Sequence, residues 1–208
     1  MPKLALVILA AWFLLLFVLR SFLQWRETGS TGIKGFHGRP GSTPWWAGVT
    51  ASAGLALAPL APVAALSGWP GGALLVTAAG LHLAGAALAL LGIAGGLLAQ
   101  LGMGASWRVG VDESETTTLV TEGLFGWVRN PIFSFVGLSA LGFVLLVPNP
   151  ASLLAAALTA IGIQLQVRAV EEPYLARTHG EAYAAYAARV GRFVPGIGRL
   201  RGDARVGI

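Results

Sequence analysis

Hydrophobic positions in this chain fall in long blocks and not in alternation. Leu4–Leu19 is apolar without a break, Trp46–Leu66 carries no charge, and neither does Ala73–Leu101. A closing pair, Pro131–Val147 and Ala151–Gln166, is divided by Val147-Pro148-Asn149-Pro150. A membrane-spanning helix needs about 20 apolar residues, with a range of about 17–25. The third block is long enough to span with tilt. The last two are short, and proline at their junction removes a donor and bars helical continuation. The pattern predicts an all-α, polytopic integral membrane protein with about five transmembrane helices, the last two a short helical hairpin, followed by a cytosolic C-terminal helical segment. Lys3 before the first block resembles the charged end of a secretory signal. Arg20-Ser21-Phe22-Leu23-Gln24-Trp25 is a poor cleavage site, so the block is expected to be a retained span.

Charge placement orients the spans. Residues 20–45 hold Arg20, Arg26, Lys34 and Arg39 against Glu27, and residues 167–208 hold seven Arg against four acids. Residues 102–130 hold two Arg and four acids, while the loops at 67–72 and 148–150 are uncharged. Five spans with the N-terminus outside put all three charged segments in the cytoplasm, as the excess of basic residues inside requires. The expected location is the cell membrane, multi-pass, with the C-terminus and the active site cytoplasmic.

Composition agrees. Only 11% of residues are charged, against about 25% in soluble domains. A pI of 10.4 then reflects cytoplasmic loops facing anionic membrane lipids, and no nucleic-acid partner is implied. Trp25, Trp45, Trp46 and Trp69 lie at span ends, where amphipathic rings favour the interface. With no cysteine there is no disulfide, thiolate nucleophile or iron–sulfur cluster.

Chemistry is unevenly distributed. Residues 1–100 are the N-terminal helices, rich in Leu, Ala and Gly, with Gly85, Ala89, Gly92 and Gly96 spaced for close helix packing. His82 stands alone there, and a structural hydrogen bond is its expected role. Residues 101–208 form the region with chemical options. No nucleotide-binding glycine motif, phosphate loop or His-Glu-x-x-His occurs. The three histidines are widely spread, and Asp112, Glu113 and Glu115 read as a solvated turn, so no metal site is expected.

Three elements stand out. In Thr117-Thr118-Leu119-Val120-Thr121-Glu122-Gly123-Leu124-Phe125-Gly126-Trp127-Val128-Arg129-Asn130-Pro131-Ile132-Phe133, the glycines permit tight turns and Pro131 suits the first turn of the fourth span. Arg129 and Asn130 then sit at a helix N-terminus level with the headgroups, where an anchor on lipid phosphate and a site role are both open. In Gln164-Leu165-Gln166-Val167-Arg168-Ala169-Val170-Glu171-Glu172-Pro173, Gln164, Arg168 and Glu171 share one helix face. Arg168 and Glu172 have the spacing of an ion pair, and Pro173 is expected to kink the chain. In Arg177–Pro195, Gly180 is a helix stop, and Tyr183 and Tyr186 share a face of the next helix, which as an amphipathic helix would lie in the interface.

The run Leu-Val-Thr-x-Gly-x-Phe-x-x-Val-Arg-Asn-Pro, followed after the hairpin by Glu-Glu-x-x-Leu-x-x-x-x-Gly-x-x-Tyr-x-x-Tyr-x-x-x-Val, resembles the isoprenylcysteine carboxyl methyltransferase family. That family is related to the membrane phospholipid methyltransferases. The resemblance covers about residues 100–195 and is specific for the superfamily, not for the substrate. It implies S-adenosylmethionine as cofactor, bound on the cytosolic side and enclosed by the C-terminal segments. It implies cofactor contacts from Thr117, Thr118, Leu119, Val120, Phe125, Arg129, Asn130, Pro131, Ile132, Phe133 and Glu171. It implies catalytic roles for Arg168, which would meet the substrate, and Glu172. The chain departs from the family at Asn130, usually His, and Phe133, usually Tyr. Asn keeps hydrogen-bonding capacity and Phe lacks the hydroxyl.

The implied activity is methyl transfer to a lipophilic small-molecule or lipid substrate. A sulfonium methyl is already activated, so alignment and exclusion of water carry the reaction. A carboxylate acceptor needs only an orienting arginine, whereas an amine needs a base, for which Glu171 or Glu172 is placed. Phospholipid N-methylation is the nearest alternative. An NADPH-dependent membrane reductase of similar helical layout fits the Glu-Glu-to-Tyr spacing less well. A non-enzymatic helical scaffold explains residues 1–100 and leaves residues 100–195 unexplained.

Overall fold

The computed structural model describes residues 1–33, 38–69, 75, 77–110 and 118–200. The protein is all-α, and no strand occurs among the described residues. We label the helices α1 (Pro2–Thr28), α2 (Thr43–Ser67), α3 (Ala79–Gly102), α4 (Pro131–Leu146) and α5 (Pro150–Arg189). All but α4 are long and apolar enough to cross a membrane. The 16 residues of α4 reach about 24 Å, short of a hydrocarbon core of about 30 Å.

Local chemistry sets the boundaries. Gly29, with φ of 75°, closes α1, and Gly68, with φ of 71°, closes α2. These left-handed positions suit a residue without Cβ. The Pro-Asn-Pro junction forms the expected hairpin: α4 stops at Leu146, and Asn149 caps α5 by accepting from the Ser152 amide at 2.9 Å.

Small residues fix the packing. α4 runs antiparallel to α3, and a Cβ on Gly142 would come within 2.7 Å of the Gly85 carbonyl oxygen. Likewise a Cβ on Gly162 of α5 would come within 2.6 Å of the Ala51 nitrogen of α2. Ala5, Ile8, Trp12 and Leu16 recur once per turn on α1 and pack on Ala86, Ala89 and Ile93 of α3 and on Leu146. Leucines such as Leu83, Leu90, Leu91 and Leu98 point outward. This inversion of a soluble core is what a lipid solvent permits, since close backbone packing replaces the hydrophobic drive. His82 is buried with Nδ1 3.2 Å from the Leu145 carbonyl oxygen, the structural bond expected of it.

Helix direction alternates, so the uncharged loops share one end. There the Leu75 amide donates to Pro148 O at 2.7 Å and Asn149 Nδ2 donates to Ala61 O at 2.9 Å. The charged segments share the other end. Arg20 Nη2 donates to Gly104 O at 2.6 Å, Gln24 Nε2 to Ala105 O at 2.8 Å, and the Val109 amide to Gly32 O at 2.8 Å.

One local expectation is corrected. Pro173 does not kink the chain at Glu172, which stays helical at φ −61° and ψ −44°. Val167–Glu171 winds as a π turn, and this wider turn accommodates the ring and the missing donor of a proline that follows. The break falls at Gly180, at φ 50° and ψ −123°.

Candidate functional site

The end carrying the charged segments holds a buried ionic cluster at the start of α4. A 3₁₀ turn, Gly123–Gly126, delivers Arg129 and Asn130 to that start. A strap following α5 crosses them: the Arg129 amide donates to Gly191 O at 2.8 Å and the Asn130 amide to Arg192 O at 3.1 Å. Asn130 Nδ2 also donates to Arg192 O, and Ser134 Oγ donates to Phe193 O at 2.7 Å.

Arg129 is the hub. Its Nη1 donates to Ala187 O at 3.1 Å and Val190 O at 2.5 Å, and its Nη2 donates to Glu172 Oε1 at 2.6 Å and Gly198 O at 3.1 Å. Arg192 grips the same carboxylate with both prongs, Nε to Oε1 and Nη2 to Oε2, each at 2.8 Å. Those bonds hold the Arg192 guanidinium above its ordinary range. The Arg129 side chain is only 2% exposed and that of Glu172 11%. Arg129 is therefore no anchor on lipid phosphate; it ties three segments together. Its Nε is buried without a partner among the described residues. Among the described residues, two arginines thus share the one carboxylate of Glu172.

The two adjacent acids face different partners. Glu171 accepts from Gln166 Nε2 at 3.3 Å and feels the charge of Arg108. Arg108 lies over the Tyr174 ring at 5.3 Å. The expected Arg168–Glu172 pair does not form. The intervening π turn takes 168 and 172 off a common face, and Glu172 is engaged by the two other arginines. Arg168 is exposed and donates from Nε to Gln164 Oε1 at 2.9 Å.

Two of the remaining expected residues, Phe125 and Leu119, contact the tyrosines of α5. Phe125 is buried, and its carbonyl accepts the Tyr186 hydroxyl at 2.6 Å. Tyr183 and Tyr186 form an edge-on pair on which Leu119 packs. Thr118 is exposed, Leu119, Val120 and Ile132 are half-buried, and Pro131 is buried. Thr117, like Asp112, Glu113 and Glu115, lies outside the described residues. Arg129, Asn130 and Glu172 are brought together, with Phe125 joined through Tyr186; Arg168 stands apart. Arg192 and Arg108 were not singled out by sequence, where each is one arginine among twelve.

Phe133, one turn beyond Asn130, borders a half-open apolar cavity of about 270 Å³ lined by α1, α2, α4 and α5. Val109 borders the same end, while Val147 borders the far end. From Phe133 to Val147 the lining follows α4 for about 21 Å. The polar cluster at Asn130 and the apolar cavity at Phe133 thus adjoin the first turn of α4, an arrangement suited to a ligand with a polar end and an apolar body.

Residues 81–182 match the phospholipid methyltransferase family, a stretch covering α3, α4 and α5 as far as Ala182. The match bears out the superfamily resemblance carried by the Arg-Asn-Pro and Glu-Glu motifs. No curated protein matches the chain. The family is a methyltransferase family, so the chain reads as a membrane methyltransferase.

Proposed function

We propose that this phospholipid methyltransferase-like membrane protein transfers a methyl group from S-adenosylmethionine to a lipophilic acceptor, by carboxylate O-methylation as in isoprenylcysteine carboxyl methyltransferases. The observation that carries this reading is the juxtaposition at Phe133, where the apolar cavity meets the rim built on Arg129. A tail in the cavity and a charged cofactor at the rim would meet there. One observation fits the carboxylate of such a cofactor: Arg129 Nε–H is a buried donor lacking a partner among the described residues. When bound, S-adenosylmethionine supplies a methyl already activated on sulfur.

The residues of this chain then align and exclude water. Asn130, Pro131, Ile132 and Phe133 form the first turn of α4 between rim and cavity, and the strap at 190–200 covers them. Glu171 sits on the side of the rim facing Arg108, as a cofactor contact. Arg168, exposed on α5 and apart from the rim, would meet the anionic group of an acceptor arriving from the bilayer. Glu172 acts as the counter-ion that keeps Arg129 in register. The family match itself favours a second reading, N-methylation of a phospholipid amine, in which Glu171 serves as base. We place the charged end, with the rim, in the cytoplasm, since the basic excess belongs there.

Calorimetry on the purified protein with S-adenosylmethionine and with NADPH tests the reading. Heat of binding with the first alone is expected. Binding of NADPH alone points to a reductase, and binding of neither removes the enzymatic reading.

A further inference from the structure

The strap after α5 contains a tight turn whose corners are apolar and exposed. The Ile197 amide donates to Val194 O at 3.1 Å, and Gly196 takes φ of 77°. With Pro195 before the glycine this is a type II turn, in which proline presets the first central position and glycine supplies the second. The Arg192 amide donates to Ile197 O at 2.7 Å, so residues 192–197 form a small hairpin with Pro195 and Gly196 at its tip. Val194 is 51% exposed and Ile197 66%. The turn geometry asks for Pro195 and Gly196 only, so two apolar corners side by side call for a separate cause.

Bonds to α4 give the hairpin a direction. Arg192 O is held by Asn130, at the start of α4, and Phe193 O is held by Ser134. Ser134 lies four residues further along the helix, about 6 Å. From Arg192 to Phe193 the chain therefore advances along α4 toward the bilayer, and the tip follows Phe193. The face it follows is turned to lipid. Ser134, Gly137 and Leu141 share that face at i, i+3 and i+7. Leu141 is 49% exposed, and a Cβ on Gly137 would meet nothing within 4 Å. The neighbours of α4 lie on its other sides: Phe135 packs on Gly95 of α3, and Val136 borders the cavity. Because α4 is about 6 Å shorter than the hydrocarbon core, its first turn starts at or inside the acyl boundary.

We propose that the turn at 194–197 inserts into the bilayer beside α4, with Val194 and Ile197 at the boundary between headgroups and acyl chains. Charge favours lipid as the occupant. Arg199 is exposed, and a Cβ on Gly196 would lie 3.6 Å from its Nη2, so the guanidinium sits over the tip. A cation above two apolar side chains matches a lipid phosphate above its chains. The strap is then fastened at two ends: Arg192 grips Glu172 at the base of the hairpin, and the bilayer holds its tip. The turn follows the family-matched residues, so this contact belongs to the strap and not to the shared methyltransferase segment.

The chain has no cysteine, so a single introduced one carries a bimane label without competition. Val194→Cys, Ile197→Cys and Leu141→Cys are each labelled in the full-length protein in vesicles of phosphatidylcholine and phosphatidylglycerol. All three side chains are exposed, so no replacement removes buried packing. Emission is measured with lipids brominated near the headgroup, with lipids brominated deep in the chain, and with aqueous iodide. Labels at 194 and 197 should lose emission to the shallow bromines more than to the deep ones and be shielded from iodide. The label at 141, in the middle of α4, should lose more to the deep bromines and so reports correct insertion. Quenching by iodide without quenching by either lipid, at 194 or at 197, overturns the proposal. S-adenosylmethionine titrated onto the same vesicles reports separately on the methyl-transfer reading, so failure of one is not mistaken for failure of the other.

Discussion

Replacing Glu172 by Gln removes the carboxylate that Arg129 and Arg192 both grip and leaves the shape of the side chain unchanged. Losing one partner of a buried ion pair costs about 3–5 kcal/mol, because the other charge stays buried and unmet. Two features pull the value to the lower end. The Arg192 side chain is 13% exposed, so water recovers part of the loss, and the amide keeps one accepting oxygen. The amide nitrogen, however, must face a guanidinium donor where a carboxylate oxygen accepted at 2.8 Å. We expect a loss of about 3 kcal/mol, or a fall of roughly 6–12 °C in melting temperature for a chain of this size. The damage should be local at first, since the strap at 190–200 is held by Arg129 and Arg192. Trypsin should therefore cut at Arg189, Arg192 and Arg199 in the variant under conditions that spare the wild type. Arg168→Ala, at an exposed side chain, should melt within about 0.5 kcal/mol of wild type and serves as the control. Because Glu172 and Arg192 touch, Glu172→Gln and Arg192→Ala should be strongly non-additive. An unchanged melting temperature and digestion pattern in Glu172→Gln would refute the claim that this cluster fastens the strap.

Arg168→Ala should lower acceptor turnover by roughly 10- to 150-fold, the loss of a charge-assisted contact, with Arg168→Lys restoring only part and cofactor affinity changing much less; loss of S-adenosylmethionine binding in a folded Arg168→Ala protein would make it a cofactor residue instead. Reporter fusions after Gly68 and after Leu200 should report opposite sides of the membrane, and the same side for both would overturn the five-pass arrangement. Gly142→Ala should destabilise α3 against α4 by about 1–3 kcal/mol through overpacking, read as a lower melting temperature, whereas Gly137→Ala, with open space at its Cβ, should not.

Features with short-range causes were legible in the sequence. The hairpin follows from two prolines flanking Asn149, the helix break from Gly180, and the close-packing face of α3, though not its partners, from the small residues at Gly85, Ala89, Gly92 and Gly96. The rim was partly legible: the Arg-Asn-Pro and Glu-Glu motifs marked Arg129, Asn130 and Glu172, but not their contact. The ion pair expected of Arg168 and Glu172 assumed uninterrupted α-helical pitch. The π turn changes that pitch; the proline that it accommodates, Pro173, was visible in the sequence but read as a kink at Glu172. Arg192 was unreadable because its partner lies 20 residues away and neighbouring arginines offered the same charge. The cavity was invisible because it is a space left between four helices.

The central claim, methyl transfer to a lipophilic acceptor, is tested most directly by the fate of the methyl group. The purified protein in liposomes of its host's lipids is incubated with S-adenosylmethionine carrying a labelled methyl, and the organic phase is extracted. O-methylation predicts label in that phase that mild alkali releases as methanol, dependent on Arg168. Label resistant to alkali would assign the activity to an amine acceptor, and no protein-dependent label in any lipid fraction would contradict the account.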